Sequence, residues 1–313
     1  MLILSAKKVT AVSILVATIL NVPTYASAQE EKIKSVTDAV YQEDITSELV
    51  DSDFDFISEA IDSSAIQALE DYKVFYSNIA LKDYSELTPE EIDQMTVHLN
   101  KIISILDSHN ENGNLIQPMG YDESALSKMI ELNYSLYNSG LSTLDILEGA
   151  NAATPARKAG EAYALAHGWG TTTWDNPADA LRHFSWNFLM GQRIGVITAR
   201  SIADTHEAAL VAAKRAMAEM PGLSKTEQSV YGAALINDII TYTRASYSSF
   251  NATFNNSSIM DINNNSQGRK YSQRSYAIDD YMAAFNDAYW SDIEWYDTGV
   301  GTADRERAFG VWQ

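Results

Sequence analysis

The sequence predicts an all-α fold with two helical parts, the second a compact, bundle-like domain. Three observations predict it. Apolar residues recur at helical spacing, several helix starts can be read directly from the residues, and no run alternates apolar and polar as a half-buried strand would. Short helices joined by short loops then require helix-on-helix packing.

The elements follow in order. Residues 57–81 carry helical periodicity. Thr88-Pro89-Glu90-Glu91 is a helix start, with Thr88 as N-cap, Pro89 in the first position and acids in the first turn. Ile92, Met95, Leu99, Ile102, Ile103 and Leu106 continue that helix on one face, and residues 122–137 form another. In the second half, Asn176-Pro177 opens a helix that runs to about Met190 or Gln192, where Gly191 and Gly195 mark a break. The next helix covers 196–220 and stops at Pro221-Gly222. Ser224-x-x-Glu227 is a capping box for a third, through about Tyr247. Residues 251–268, rich in Asn and Ser, read as a loop, and 275–295 as a last aromatic helix.

The N-terminus bounds the compartment. Lys7 and Lys8 precede a mostly apolar run from Val9 to Val22, and Ala26-Ser27-Ala28 fits a small-residue cleavage site. Residues 1–28 are therefore expected to be a secretory signal peptide, cleaved before Gln29, and the run is short for a membrane anchor. The expected place of work is extracellular or in the cell envelope, with no membrane span in the mature protein. The absence of cysteine excludes disulfides, thiolate metal sites and a cysteine nucleophile.

Charge divides the rest. Residues 29–150 hold 25 acidic and 6 basic side chains, whereas 151–313 hold 17 and 14. An acidic first half argues against nucleic acid as a partner and is what a solvated helical surface looks like. The expected domains are an acidic helical region, 29–150, and a helical domain, 151–313, with 149–155 as linker. The polar stretch Asp107 to Asn114 hints at a calcium loop but lacks the regular ligand frame and the closing Glu.

Three segments can carry chemistry. On a helix, Asp179, Arg182, His183, Trp186 and Asn187 share one face with Met190. Neither solvent nor an ordinary core suits that mixture, but a polar cleft does. Asp179 equally serves as an acid in the first turn. In the second segment, His206 and Glu207 lie within or beside an apolar stripe that includes Ala199, Ile202, Ala203, Leu210 and Ala213. Polar groups facing a helical interior need partners. The position four after His206 is Leu210, so the H-E-x-x-H metalloprotease pattern is absent. In the third segment, Asp261, Asn263 and Asn265 alternate like calcium ligands, but Ser266 and Ser272 stand where an EF-hand needs Gly and Glu.

The order Asp179-Ala180-x-Arg182-His183-x-x-Trp186-Asn187, then Gly195, Ala199, Asp204-x-His206-Glu207, then Met260-Asp261-x-x-Asn264-Asn265-x-x-Gly268-Arg269 resembles a bacterial family of uncharacterised secreted and surface-associated domains. The resemblance spans about residues 160–275. It implies a shared site and no particular reaction. The family's third motif often has His where this chain has Asn263; if that position binds metal in relatives, this chain is expected to bind it more weakly or not at all.

Two function classes follow. One is a hydrolase of an extracellular or envelope substrate: His183, His206 and Asp261 or Asp179 hold a divalent metal such as zinc or calcium, Glu207 is general base and Arg182 stabilises an anionic transition state. In its metal-free form, Glu207 polarises His206, which acts as base. Trp186, Asn187, Asn264, Asn265 and Arg269 complete the expected site. The other class is a non-catalytic envelope or extracellular binding module, in which the same residues form a satisfied buried network.

Overall fold

The computed structural model describes residues 63–80, 82, 84–108, 121–170, 172–289 and 291–313. The expected signal peptide and the segment 109–114 of the calcium-loop reading lie outside them. The described residues form eleven α-helices, three short 3-10 turns and no strand, so the fold is all-α. Among the described residues, no helix is long and apolar enough to cross a membrane.

The helices are α1 Ser63–Ser77, α2 Pro89–Ser108, α3 Tyr121–Tyr137, α4 Thr143–Ala166, α5 Pro177–Ile194 and α6 Val196–Glu219, then α7 Lys225–Ala245, α8 Tyr247–Thr253, α9 Asn256–Ser272, α10 Tyr281–Ala288 and α11 Thr302–Trp312. The predicted starts are where the caps place them. Thr88 and Glu91 cap each other reciprocally at the head of α2. Asn176 Oδ1 accepts from the N–H groups of Ala178 and Asp179, with Pro177 at the first helical position of α5. Ser224 and Glu227 form the predicted capping box of α7. Ser224→Ala removes an acceptor from that box and is expected to lower stability by about 1 kcal/mol, measured by chemical denaturation.

Three expectations are corrected. The supposed linker 149–155 lies inside α4, with Pro155 in mid-helix. Its small residues serve close packing: Ala152 is fully buried, as is Ala156 just beyond that stretch, and the Gly149 carbonyl receives the Trp186 indole N–H at 2.9 Å. The supposed loop 251–268 is helical, forming the end of α8 and most of α9. Asn255 caps α9 through Ser258 N, and the asparagines that follow are held by contacts distant in sequence. Asn263 Nδ2 donates to Asp304 O, while Asn264 exchanges two hydrogen bonds with the Glu294 backbone. These bonds outweigh the low intrinsic helix propensity of Asn. Residues 275–295 are not one helix: α10 covers only Tyr281–Ala288, and α11 was not read at all.

Helix α5 is the hub. Thirteen of its 18 residues are buried, so most of its circumference is covered by neighbours. It packs on α4, α6, α9 and α10. Three apolar clusters join the other helices. One joins α1, α2, α3 and α4 around Leu69, Tyr72, Met95 and Leu99. The second joins the alanine face of α6 (Ala208, Ala209, Ala212, Ala213 and Ala216) to α3 and α7. The third seats Trp312 against Phe250, Phe254 and Ile259. Contact between α5 and α9 is close because Gly268 has no side chain. A Cβ there would lie 3.0 Å from Asn187 Cβ and closer still to Phe184 O. That approach carries the polar residues of α9 to those of α5.

Candidate functional site

Asp179, Arg182 and His183 occupy the first two turns of α5, on the face turned to α9. The Asp179 carboxylate accepts from Asp175 N at 2.7 Å and pairs with Arg182. His183 is buried, its Nε2 lying 3.2 Å from Asp261 Oδ1 on α9 and 3.5 Å from Asp179 Oδ1. Arg182 Nη2 is 2.9 Å from the same nitrogen.

A relay of hydrogen bonds fixes the His183 tautomer. Arg269 has only donors, and its Nη1 lies 2.6 Å from Asn187 Oδ1. The Asn187 amide therefore presents Nδ2 to Asn265 Oδ1, at 2.6 Å. That oxygen also faces His183 Nδ1 at 3.1 Å, so Nδ1 carries the hydrogen. Nε2 is left as a lone pair aimed at the two carboxylates and Arg182. Burial, with Arg182 and His206 adding to it, holds His183 well below the usual histidine range, so the ring is neutral.

The acids behind Arg182 are anomalous. Burial pushes Asp261 well above the ordinary carboxylate range, and Asp179 and Glu207 push it further. Burial also raises Asp179, against the pull of Arg182. Glu207 is fully buried, and burial lifts it to about 7. Both Glu207 oxygens and Asp261 Oδ1 have no hydrogen-bond partner among the described residues.

His206 is placed differently from the expectation. It is not part of the group able to share one ion; that group is Asp179, His183 and Asp261, whose ligand atoms all lie within 4.8 Å of one another. The His206 ring stands 6.5 Å from the His183 ring, centroid to centroid, with its Nδ1 3.0 Å from Glu131 Oε2 on α3. Its partner is thus Glu131 and not Glu207, which corrects the metal-free form of the expected chemistry as well. Burial alone would lower His206, but the adjacent Glu131 carboxylate outweighs it and the net shift is upward. The Trp186 and His206 rings meet in a T-shaped contact, 5.4 Å from centroid to centroid.

Arg182, His183, Trp186, His206 and Glu131 line one cavity of about 210 Å³. Its remaining wall is mostly apolar, with Ile103, Leu106, Leu132, Ile146 and Ile202 among the lining residues. Asp261 borders a second cavity of about 370 Å³, beside Lys214, Ser257 and Ser258.

The structure thus brings together Asp179, Arg182, His183, Asp261, Asn187, Asn265 and Arg269, and it brings Trp186 and His206 to the same cavity. Asn264 is turned away, tying α9 to the backbone at Glu294. Sequence reasoning missed Glu131, an acid set among Met129, Ile130 and Leu132 in the half that was read as a solvated surface. It also missed the role of Asp204, a buried acid that takes Arg244 Nη2 at 2.6 Å and Arg200 Nε at 3.3 Å. Both arginines also donate to the Trp312 carbonyl, so this network closes α11 onto α6 and α7.

No curated protein and no solved structure matches the chain. One family model does match, over residues 143–289, a span that runs from α4 to the end of α10 and includes the Asp179–Arg182–His183–Asp261 cluster, its relay and His206, but not Glu131 or the cavity-lining Ile103, Leu106 and Leu132. The span is similar to a domain of unknown function, DUF6973.

Proposed function

We propose that this protein is a hydrolase of an extracellular or envelope substrate, in which His206, held by Glu131, activates water inside the apolar-walled cavity. One observation carries this reading: a carboxylate on Nδ1 of a histidine that lines the same cavity as an arginine. Glu131 holds the hydrogen on Nδ1 and stabilises the imidazolium that forms when the ring takes a proton. This leaves Nε2 to act as base on a water, and the proton then passes to the leaving group. Arg182 is the one group of the buried cluster whose side chain is substantially exposed, at 32%, and it supplies positive charge where an oxyanion develops. The signal-peptide-like N-terminus supports a substrate outside the cytoplasm. The relay from Arg269 to His183 has a positioning role, since it lies buried behind Arg182.

A second reading, a binding module, draws support from the apolar share of the cavity wall. His206 separates the two. The test is turnover of a panel of carboxylic esters, phosphodiesters, amides and glycosides by purified protein. His206→Asn is expected to lose about a hundredfold in kcat/KM on the class that is cleaved. Glu131→Gln is expected to lower kcat by roughly tenfold at unchanged KM, because it weakens support for a charge that forms only during the reaction. Turnover of no class, with ligand binding equal in both variants and the unaltered protein, would leave the binding module standing.

A further inference from the structure

We infer that Asp179, His183 and Asp261 form a binding site for one divalent transition-metal ion, with Glu207 as a further carboxylate at its side. This site lies behind Arg182 and does not depend on the hydrolytic reading of His206.

The first argument is the direction of the lone pair. The relay Arg269–Asn187–Asn265 places the hydrogen of His183 on Nδ1, so Nε2 donates to neither carboxylate. Yet Asp261 Oδ1 and Asp179 Oδ1 stand 3.2 and 3.5 Å from it. Lone pairs from three groups meeting in a buried space need something positive between them; here the Arg182 guanidinium, on Asp179 and 2.9 Å from Nε2, stands in that place, and a metal ion would take it. Ligand atoms bound at about 2.0–2.2 Å to one tetrahedral ion are themselves roughly 3.3–3.6 Å apart. The two separations from Nε2 are close to that, and all three ligand atoms lie within 4.8 Å of one another.

The second argument is Glu207. It is fully buried, both its oxygens lack a hydrogen-bond partner among the described residues, and it interacts electrostatically with Asp179, Asp261 and Arg182. Glu207, Asp179 and Asp261 all act electrostatically on one guanidinium, and a buried carboxylate without a partner is costly. Arg182 now bonds both Asp179 and His183 Nε2, and it also lines the cavity, which gives its long side chain somewhere to go. An ion and the guanidinium compete for the same ligand atoms.

The donor set selects the ion. Calcium and magnesium take oxygen ligands, whereas an imidazole nitrogen together with carboxylates suits zinc or manganese.

The test is isothermal titration of EDTA-treated protein with zinc and with manganese, alongside thermal melts. One equivalent of at least one ion is expected to bind and to raise the melting temperature. Asp261→Asn and Glu207→Gln are each expected to weaken binding at least tenfold, and Arg182→Leu to bind at least as tightly as the unaltered protein. X-ray absorption on the zinc-loaded unaltered protein is expected to show one imidazole among oxygen ligands, so the proposal remains testable where a variant fails to fold. It is overturned by absence of stoichiometric binding of both ions, by binding that Asp261→Asn leaves intact, or by binding lost in Arg182→Leu while the fold is kept. Binding that disappears in a His206→Asn, Glu131→Gln double variant but survives Glu207→Gln would place the ion in the cavity and overturn it too.

Discussion

Gly268→Ala is expected to lower stability by about 3 kcal/mol and the melting temperature by roughly 5–10 °C. The added methyl group meets main chain instead of a side chain that can rotate. Its Cβ would lie 3.0 Å from both the Phe184 carbonyl carbon and Asn187 Cβ, and closer again to Phe184 O. All three belong to α5, which is packed on several sides and has no room to retreat. Helix α9 must lift instead. Asn265 sits one turn before Gly268, so the lift stretches its contacts with Asn187 at 2.6 Å and with His183 at 3.1 Å. Loss of stability and loss of His183 orientation therefore come together. Gly222→Ala is the control, because nothing lies within 4 Å of a Cβ there. A shift under 2 °C for Gly268→Ala would mean that α5 and α9 do not approach as described.

The sequence was informative where the physics is local. The start of α5 was legible because Asn176 and Pro177 satisfy the first N–H groups within four residues. Its polar face was legible because Asp179, Arg182 and His183 repeat at helical spacing, and the structure does turn them to one cluster. Helix α9 was not legible. Read locally, Met260 to Gly268 is a polar, asparagine-rich turn, and only bonds to Glu294, Asp304 and Asn187 make it a buried helix. The partner of His206 was hidden for the same reason. Glu131 lies 75 residues away, on a helix whose approach to α6 is set by alanine packing. The false linker at 149–155 arose because small residues signal both flexibility and close contact. Here they are a contact, for Gly149 lies against Ile202 and beneath Trp186. Sequence pattern thus identified which residues were out of place in a core, but not which of them would meet.

Asn187→Ala is expected to be at least as damaging as Gly268→Ala, at about 3–4 kcal/mol, though through a different route. The Asn187 amide serves three partners: it accepts from Arg269 Nη1 and donates to Asn265 Oδ1 and to His183 O. Removing it leaves a buried guanidinium, which burial has already lowered to about 10, without that acceptor. Asn187→Asp separates the two roles of the amide. A carboxylate still accepts from Arg269, now as an ion pair, so most of the stability is expected to return. It cannot donate to Asn265, whose amide must turn to present Nδ2 to the new acceptor. Nδ2 then faces His183 Nδ1 as well, and that ring nitrogen becomes the acceptor. The hydrogen moves to Nε2, where Asp261 Oδ1 lies 3.2 Å away to receive it. Nitrogen-15 NMR of the histidine rings distinguishes the outcomes: Nδ1–H in the unaltered protein and Nε2–H in Asn187→Asp. With Nε2 protonated, the ring offers no lone pair to a metal, and zinc or manganese affinity is expected to fall although the fold survives. Retention of the Nδ1–H form in Asn187→Asp would show that something other than the relay from Arg269 sets the tautomer.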